Sequence, residues 1–247
     1  MPAAPRDRDP RAPGIGVASL AGRGLRRRPV IPGEASITLL LGAPGWREAL
    51  PAVGPSARLL ELLERVEEES ARAGIPSIER EDGSALYAVA YLYTLGRGGE
   101  GVAAADLGAG IGYSTLWLAG GVEAACTRGC RVVAVEADPW RSRRLREVLG
   151  EAGLERTRLE AVQGDALSYL ERLGPGSLDI VFVDVDKHEY ARVLELLESR
   201  LRPGGVAVFH NAYFPRPPGS FFEAVERGPW RSTVVPTRLG LLVAVRA

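Results

Sequence analysis

The chain has 247 residues, and its 31 lysine and arginine side chains balance 31 aspartate and glutamate side chains, so its formal net charge is zero. A neutral chain has no general electrostatic attraction to nucleic acid or to a membrane surface. Its composition, 46% apolar and 25% charged, is typical of a soluble globular protein, and no apolar run approaches the roughly 20 residues of a membrane-spanning helix. Because the N-terminus also lacks the order of a signal peptide, we expect a cytosolic protein with one α/β domain, alone or with an appendage.

The first 45 residues are predicted to form an N-terminal extension, separate from a domain over residues 46–247. Proline, glycine and arginine dominate this extension, and residues 1–28 contain seven arginines against two aspartates. Such a segment buries too little apolar surface to offset the entropy of ordering it. We therefore expect a flexible tail; translation from a misplaced start codon and an arm that touches nucleic acid are the alternatives. The apolar run over 35–42 is either a short strand or a helix fragment.

Two helices are predicted before the regular part of the chain. Apolar residues at 59, 60, 62, 63 and 66, followed by Gly74, predict an amphipathic helix that ends at a glycine. A more apolar, and hence more buried, helix follows over about 83–95. Strands and helices then alternate: the predicted strands cover 102–107, 131–137, 158–162, 178–184 and 204–210, and the predicted helices cover 113–121, 138–151, 165–172, 187–201 and 220–227. The chain ends with two strands around a turn near 237–239.

This alternation predicts the fold class. Strands that alternate with helices form a parallel sheet covered on both faces, whereas two strands joined by a tight turn must be antiparallel to each other. We therefore expect an α/β protein with a mostly parallel, seven-stranded sheet that ends in an antiparallel hairpin.

The chain has two cysteines, Cys126 and Cys130. A tetrahedral zinc site would need a second pair, which the chain lacks. We interpret the two residues as ordinary thiols on a surface turn, with a local disulfide as the alternative.

A glycine turn follows the first strand of the alternation, in the stretch DLGAGIGYSTLWLA. Its glycines follow the pattern G-x-G-x-G, whereas the dinucleotide fingerprint is G-x-G-x-x-G; they are Gly108, Gly110 and Gly112. The carboxylate of Asp106, just before the turn, would repel a pyrophosphate but could pair with the ammonium group of a cationic ligand. Glu136 ends the next strand, where a carboxylate can accept hydrogen bonds from both hydroxyls of a ribose.

A third acid, Asp165, follows the third strand in the stretch QGDA. At the same sheet edge its carboxylate could meet an adenine amino group, and as an alternative it could cap the next helix. A glycine turn followed by two acids, each at the C-terminal end of a strand, is a more specific signal than the turn alone.

These residues resemble a known family. The run from Asp106 resembles motif I of the class I S-adenosylmethionine-dependent methyltransferases, and GYSTLWLA together with FVDVDKHEY resembles their catechol and caffeoyl-CoA O-methyltransferase branch. The resemblance covers residues 56–247 and implies a Rossmann-like sandwich that binds S-adenosylmethionine. It implies that Asp106, Gly108 and Gly112 line the methionine part, that Ser114 binds the carboxylate, that Glu136 holds the ribose and that Asp165 and Ala166 border the adenine. With Gly110 and Asp184, these residues are the predicted cofactor-binding set.

The fourth and fifth predicted strands deliver four further side chains to the same edge. Asp184 ends the fourth strand, and Lys187, the single lysine of the chain, follows it; His210, one of two histidines, and Asn211, the single asparagine, end the fifth strand. In the resembled branch the position of Asp184 is a metal ligand and that of Lys187 is the base. Two more ligands come from an Asp-Asn pair, which here reads His210-Asn211.

The histidine leaves the metal open, because magnesium and calcium prefer oxygen ligands whereas imidazole suits zinc, iron, nickel or copper. Three alternatives follow. The site binds no metal and uses His210 or Lys187 as the base; it binds a softer divalent ion through Asp184, His210 and Asn211; or it binds magnesium weakly, with Asp186 or water as a further ligand.

Several nearby residues have simpler interpretations. We expect His188 at the surface and Tyr190 in packing, and Asn211 could be only a turn former. Four aromatic residues are core or part of an acceptor pocket: Tyr213, Phe214, Phe221 and Phe222. The helices before residue 100 could cap the site or form a homodimer face.

The leading hypothesis is an enzyme that methylates a hydroxyl of a small aromatic or polyhydroxy acceptor. The alternatives are an RNA acceptor, namely a tRNA base, and a cofactor-binding protein without catalysis. A nicotinamide-dependent reductase is disfavoured by the glycine spacing and by Asp106.

Overall fold

The computed structural model describes residues 54–247. The predicted extension over 1–45, with its apolar run over 35–42, lies outside these residues. The first described helix, α1 (Ala57–Ala73), begins at Ser56, whose hydroxyl accepts a hydrogen bond from the Leu59 amide. It ends at Gly74 in the left-handed conformation, as predicted.

The remaining elements confirm the predicted alternation, with ends that differ from the prediction by a few residues. They are α2 (Arg80–Gly96), β1 (Ala103–Leu107), α3 (Tyr113–Ala125), β2 (Cys130–Glu136), α4 (Pro139–Glu151), β3 (Thr157–Gln163), α5 (Ala166–Glu171), β4 (Leu178–Val183), a 3-10 turn (Lys187–Glu189), α6 (Tyr190–Arg200), β5 (Leu201–Phe209), α7 (Gly219–Arg227), β6 (Trp230–Val235) and β7 (Leu241–Arg246).

The strands form one seven-stranded sheet in the order β3-β2-β1-β4-β5-β7-β6. The first five pair in parallel, and β7 is antiparallel to both β5 and β6. The mostly parallel sheet with a terminal antiparallel hairpin is therefore confirmed. The last strand of the chain lies inside the sheet and β6 lies at its edge, an order that the sequence pattern does not specify.

Alternating strand residues pack into two hydrophobic cores, one on each face of the sheet. In β4, Ile180 and Phe182 pack with the buried faces of α1, α2, α3 and α4, whereas Val181 and Val183 pack with α5, α6 and α7. Because β4 is buried on both faces, its sequence is a nearly continuous apolar run, as expected of a central parallel strand.

A disulfide joins Cys126, after α3, to Cys130, at the start of β2. The interpretation of the two cysteines as ordinary surface thiols is therefore wrong. Both side chains are buried, and their Cα atoms are 6.3 Å apart, a separation that a disulfide accommodates.

The N-terminal edge of the sheet holds a buried ion-pair network around Asp179, near the start of β4. One carboxylate oxygen accepts hydrogen bonds from the Ala103 amide at 2.9 Å and from Arg202 Nη1 at 2.7 Å, and the other accepts one from the Tyr93 hydroxyl at 3.1 Å. These contacts join β1, β4, β5 and α2 at this end of the sheet.

From β1, the strands β2 and β3 extend the sheet to one side, whereas β4 and β5 extend it to the other. The strand order therefore reverses between β1 and β4, which are neighbours in the sheet. In parallel α/β sheets, ligands bind in the crevice outside the C-terminal ends of the strands at such a reversal. The glycine turn after β1 and Asp184 after β4 both lie there. No helix in the described part of the chain has the length and apolar character needed to cross a membrane.

Candidate active site

The glycine turn brings the backbone after β1 against the backbone after β4. Gly108 has a φ of +91°, and a Cβ atom there would lie 2.3 Å from the carbonyl oxygen of Asp184. Both the backbone conformation and the close approach therefore require glycine. Gly112 caps α3 with a φ of 108°, and the amide groups of the first turn of that helix are directed toward the crevice edge.

Asp106 is fully buried behind the turn. One carboxylate oxygen accepts hydrogen bonds from the Ser114 hydroxyl at 2.7 Å and the Thr115 hydroxyl at 2.5 Å, while the other has no hydrogen-bond partner. Burial raises the pKa of Asp106 to about 7, and the two hydroxyls act in the opposite direction. Asp106 supports Ser114 and lines neither of the two cavities at this edge, so its predicted contact with a ligand stays a prediction.

Glu136 is held rigidly at the end of β2. Its two carboxylate oxygens accept hydrogen bonds from the Gly110 amide at 2.8 Å and from the Asp138 amide at 2.9 Å. Each oxygen keeps a further lone pair. The glycine turn therefore fixes a carboxylate that can still accept two hydroxyl hydrogen bonds, as the sequence predicts for a ribose.

Asp165 is the N-cap of α5, because its side chain accepts a hydrogen bond from the Ser168 amide at 2.7 Å. The capping alternative for this residue is therefore confirmed. Asp165 and the neighbouring Ala166 also line the cavity described next, so capping does not remove the residue from the site.

A cavity of about 470 Å³ runs along the C-terminal edge of the sheet. It brings together residues that follow four of the parallel strands or lie just beyond them: Gly108, Gly110, Glu136, Asp165, Ala166, Asp184 and Lys187. A smaller pocket shares Gly108, Gly110 and Asp184 with this cavity and adds Ser114. The predicted cofactor-binding residues are thus gathered at one edge, with Asp106 behind the wall.

A second cavity, of about 420 Å³, lies between α1, α2 and α3. It is lined mainly by apolar and aromatic side chains, among them Leu60, Tyr87 and Trp117, and it contains none of the predicted site residues. The cavity at the sheet edge is therefore the candidate active site.

Lys187 lies on the wall of that cavity. Its Nζ atom is 2.7 Å from Asp184 Oδ1 and 2.9 Å from the Tyr190 hydroxyl. Tyr190 is fully buried and packs against Phe209 and Phe221, which agrees with its predicted packing role. Its hydroxyl also lies 3.0 Å from the carbonyl oxygen of His210, so Tyr190 fixes the position of the lysine relative to β5.

His210 lies between two carboxylates. Its Nδ1 atom is 3.2 Å from Asp184 Oδ2, and its Nε2 atom is 3.2 Å from Asp82 Oδ2. Burial would lower the pKa of His210, but the hydrogen bonds to Asp184 and Asp82 outweigh it and raise the pKa to about 9. With both nitrogens engaged, His210 is not free to accept a proton, which disfavours its predicted role as a base.

The same contacts act on Asp184 in the opposite sense. Burial would raise its pKa, but the hydrogen bond and charge of His210, together with the charge of Lys187, lower it below the usual range of a carboxyl group. Asp184 is therefore ionised at neutral pH. One of its oxygens contacts Lys187 and the other contacts His210.

Asp82 is the site residue that the sequence pattern missed. It lies in the first turn of α2, is fully buried, and also accepts a hydrogen bond from the Glu79 amide at 3.3 Å. An acid in the first turn of a helix has a sufficient local explanation as a capping residue. Only the packing of α2 against the end of β5 reveals its contact with His210.

The other candidates after β5 separate into two groups. Asn211 has a φ of 59°, a conformation that favours asparagine and glycine, and its side-chain amide donates a hydrogen bond to the Phe214 carbonyl at 2.8 Å. Tyr213 and Phe214 are exposed, whereas Phe221 belongs to the core and Phe222 is half-buried beside it. His188 is exposed, as predicted.

Two of the three predicted metal ligands already have partners. Both oxygens of Asp184 and both ring nitrogens of His210 are engaged, whereas Asn211 donates its amide nitrogen to the Phe214 carbonyl and keeps its oxygen for another contact. Binding of a metal through these residues stays a prediction. Within residues 54–247, no group of three histidine, cysteine, aspartate or glutamate side chains is arranged to hold a metal ion.

The comparisons with known proteins agree with this site. A family model described as a methyltransferase domain matches residues 105–212, from β1 to just beyond β5. A protein of Mycobacterium tuberculosis named as a probable O-methyltransferase is 29% identical over 167 residues, which are 68% of each chain.

Solved structures show the same fold. An O-methyltransferase from Bacillus cereus in complex with SAH is 24% identical, with a TM-score of 0.62 over 81% of this chain and 96% of that one. The O-methyltransferase TomG from Streptomyces achromogenes, in complex with SAM, is 21% identical, with a TM-score of 0.60 over 81% and 95%.

The sheet order, the glycine turn and the acids at the strand ends are those of the class I methyltransferase fold. The methyltransferase domain over residues 105–212 and the relatives named as O-methyltransferases support an S-adenosylmethionine-dependent O-methyltransferase of this class.

Proposed function

We propose that this chain transfers a methyl group from S-adenosylmethionine to a hydroxyl of a small aromatic or polyhydroxy acceptor. The observation that carries the proposal is the single cavity of about 470 Å³ that joins Gly108 and Glu136 to Asp184 and Lys187. A cofactor pocket and a proton-accepting side chain on the same wall are what a direct methyl transfer requires.

The residues present suit the cofactor. Glu136 has hydrogen-bonding capacity left for the ribose hydroxyls, and Asp165 and Ala166 line the same cavity. The first turn of α3 offers free amide groups for a carboxylate. Ser114 lies beside them, but its hydroxyl donates to Asp106 and would have to turn away from it to bind a carboxylate. The buried, unpartnered oxygen of Asp106 supplies negative potential behind this turn, which favours a nearby ammonium group.

Lys187 is the proposed base. When bound, S-adenosylmethionine supplies an electrophilic methyl group, whose bond to sulfur breaks, with the electron pair returning to sulfur, as the acceptor oxygen bonds to the carbon. In its ion pair with Asp184, 2.7 Å away, Lys187 is an ammonium, so it must first release a proton to solvent. The resulting amine then takes the proton that the acceptor hydroxyl loses, and the Asp184 carboxylate stabilises the ammonium that re-forms. Tyr190 and Asp184 together hold the nitrogen in position.

The loop after β5 supports an aromatic acceptor. Tyr213 and Phe214 are exposed only a few residues beyond His210, and the hydrogen bond from Asn211 to the Phe214 carbonyl fixes the start of this loop. Exposed aromatic faces suit stacking on an aromatic ring, and we propose this role for the two side chains.

A tRNA acceptor is the second candidate, and the arginine-rich residues 1–28 are its support. Isotope-labelled S-adenosylmethionine, incubated with a panel of catechols and other phenols, polyols and bulk tRNA, tests both acceptors at once. We expect label in the phenols; label in tRNA alone would overturn the small-molecule proposal.

Calorimetry with S-adenosylhomocysteine and with NADH tests the cofactor separately. We expect saturable binding of S-adenosylhomocysteine and none of NADH. Binding of S-adenosylhomocysteine without methylation of any acceptor would favour a cofactor-binding protein without catalysis.

A further inference from the structure

Three elements that are distant in sequence meet around one imidazole ring. Asp82 comes from α2, Asp184 follows β4, and His210 follows β5; we call these three side chains the histidine clamp. His210 is 4% exposed and Asp82 is 0% exposed, and each ring nitrogen lies 3.2 Å from a carboxylate oxygen. A buried ring with a carboxylate on each side has no nitrogen left for another partner.

We infer that the histidine clamp replaces a divalent cation and makes this site metal-independent. The inference rests on the proposed function for its place in the reaction, and it concerns how the acceptor and its base are organised. In the resembled branch a carboxylate at the position of His210 would bind a metal. Here the imidazole stands at that ligand's position and lies between two carboxylates.

The contacts of Asp184 carry the inference further. Lys187 Nζ contacts Oδ1 of Asp184, and His210 Nδ1 contacts Oδ2. Both carboxylate oxygens of this predicted metal ligand are therefore paired with nitrogen donors. A metal ion would have to displace one of them, and the displaced donor would remain buried beside it. A buried polar group without a partner is unfavourable, which opposes metal binding at this position.

Asp82 is a positioning residue in this arrangement, because it acts on the reaction only through His210. It lies outside residues 105–212, the segment that matches the methyltransferase domain model. The N-terminal turn of α2 is also tied to the final hairpin, since Arg238 pairs with Glu79 and the Arg238 amide contacts Glu81. These contacts hold Asp82 against the end of β5.

Isothermal titration of Mg²⁺, Mn²⁺ and Zn²⁺ into the untagged full chain, saturated with S-adenosylhomocysteine, tests the inference. We expect no saturable binding at millimolar metal. The variant His210→Asp restores the Asp-Asn pair of the resembled branch, and we expect it to gain Mn²⁺ or Mg²⁺ binding by at least about tenfold in affinity. Stoichiometric binding of Mg²⁺ or Mn²⁺ to the wild-type chain would overturn the inference; zinc binding is judged with the control below.

The exposed His188 provides the matched control, since it is the other histidine of the chain. If His188→Ala abolishes zinc binding, the zinc was bound at the surface and the inference stands. If zinc binding survives in this variant, the inference is contradicted. If His210→Asp does not fold, the wild-type titration still decides.

Activity gives a second readout. Methyl transfer by the wild-type chain should be the same within twofold with and without EDTA, and a large loss with EDTA would contradict the inference. If S-adenosylhomocysteine does not bind, the proposed function fails, but the metal titration of the free chain still reports on the histidine clamp.

Discussion

The two ends of β4 each carry an acid in an ion pair, and the two acids have different surroundings. Asp179, near the start, has a fully enclosed side chain with a backbone amide, a tyrosine hydroxyl and the Arg202 guanidinium as donors. Asp184, just after the end, is a quarter exposed and contacts Lys187 and His210. Both acids therefore pair with cationic side chains, but only Asp184 lines a cavity.

The surroundings of the two acids separate contacts that stabilise the fold from contacts that belong to the candidate active site. At the N-terminal edge the donors come from elements that Asp179 ties together, so that network stabilises the sheet. Arg202 lines an open hollow of about 650 Å³ at that edge but Asp179 does not, whereas Asp184 and Lys187 both line the cavity at the C-terminal edge. Neither a buried ion pair nor a nearby cavity is therefore by itself evidence of a functional site.

Matched loss of the cationic partner at each end is the strongest test of this contrast. We expect Lys187→Met to lower kcat by about a hundredfold or more, because the proposed base is lost, while the affinity for S-adenosylhomocysteine stays within about twofold. We expect Arg202→Met to keep kcat and to lower the free energy of unfolding by about 3 kcal/mol, because it uncovers a buried carboxylate.

Steady-state kinetics and urea denaturation of both variants measure these effects. If Lys187→Met kept its turnover, the assignment of the base would be wrong. If Arg202→Met lost turnover while folded, the separation between the two ends of β4 would fail.

Asp106 extends the comparison, because it is a buried acid at the functional edge with no cationic partner. Its pKa of about 7 lies above that of an unfolded aspartate, so the folded chain binds more protons than the unfolded chain between about pH 4 and pH 7. Ionisation of Asp106 therefore lowers stability as pH rises through this window. In the wild-type chain we expect the free energy of unfolding to fall by about 2 kcal/mol between about pH 5 and pH 7. We expect this decrease to be absent in Asp106→Asn.

Urea denaturation at several pH values gives this difference, and Asp165→Asn, at an exposed acid, is the control. Asparagine keeps an acceptor for the Ser114 and Thr115 hydroxyls, so the packing should survive the substitution. Identical pH dependence in Asp106→Asn and wild type would show that the buried carboxyl group titrates normally.

The sequence predicted the fold more completely than the site. Strand and helix periods, glycine stops and the apolar runs of buried strands are local signals, and they located the helices and strands of residues 54–247. The insertion of β7 between β5 and β6 depends on tertiary pairing and has no local signal. The disulfide likewise depends on burial, which the spacing of Cys126 and Cys130 does not report.

At the site, the residues that follow the strands could be predicted because parallel strands deliver their C-terminal ends to one edge. Lys187 and Glu136 lie on the cavity wall for this reason. Asp82 could not be predicted, since its side chain reaches His210 from a helix 128 positions earlier in the chain. The two hydroxyls that donate to one oxygen of Asp106 were not predicted either, because they depend on how α3 packs behind β1.

The smallest expected effect is that of Asp82→Asn, compared with Tyr93→Phe at the other edge. Asparagine keeps one oxygen for the Glu79 amide, and hence the start of α2, but it weakens the hold on His210. We expect kcat to fall by about tenfold, or about 1.4 kcal/mol, with an unchanged KM for S-adenosylmethionine. Tyr93→Phe removes one hydrogen bond to Asp179 and should lower the free energy of unfolding by about 1 kcal/mol without changing kcat.

The split between kcat and KM separates positioning from a general loss of structure, because a structural defect would weaken cofactor binding as well. Asp82→Glu, which keeps the charge on a longer side chain, should recover part of the lost kcat. If Asp82→Asn changed only the free energy of unfolding, as Tyr93→Phe is expected to do, Asp82 would belong with Asp179, and His210 would need no second carboxylate for the reaction.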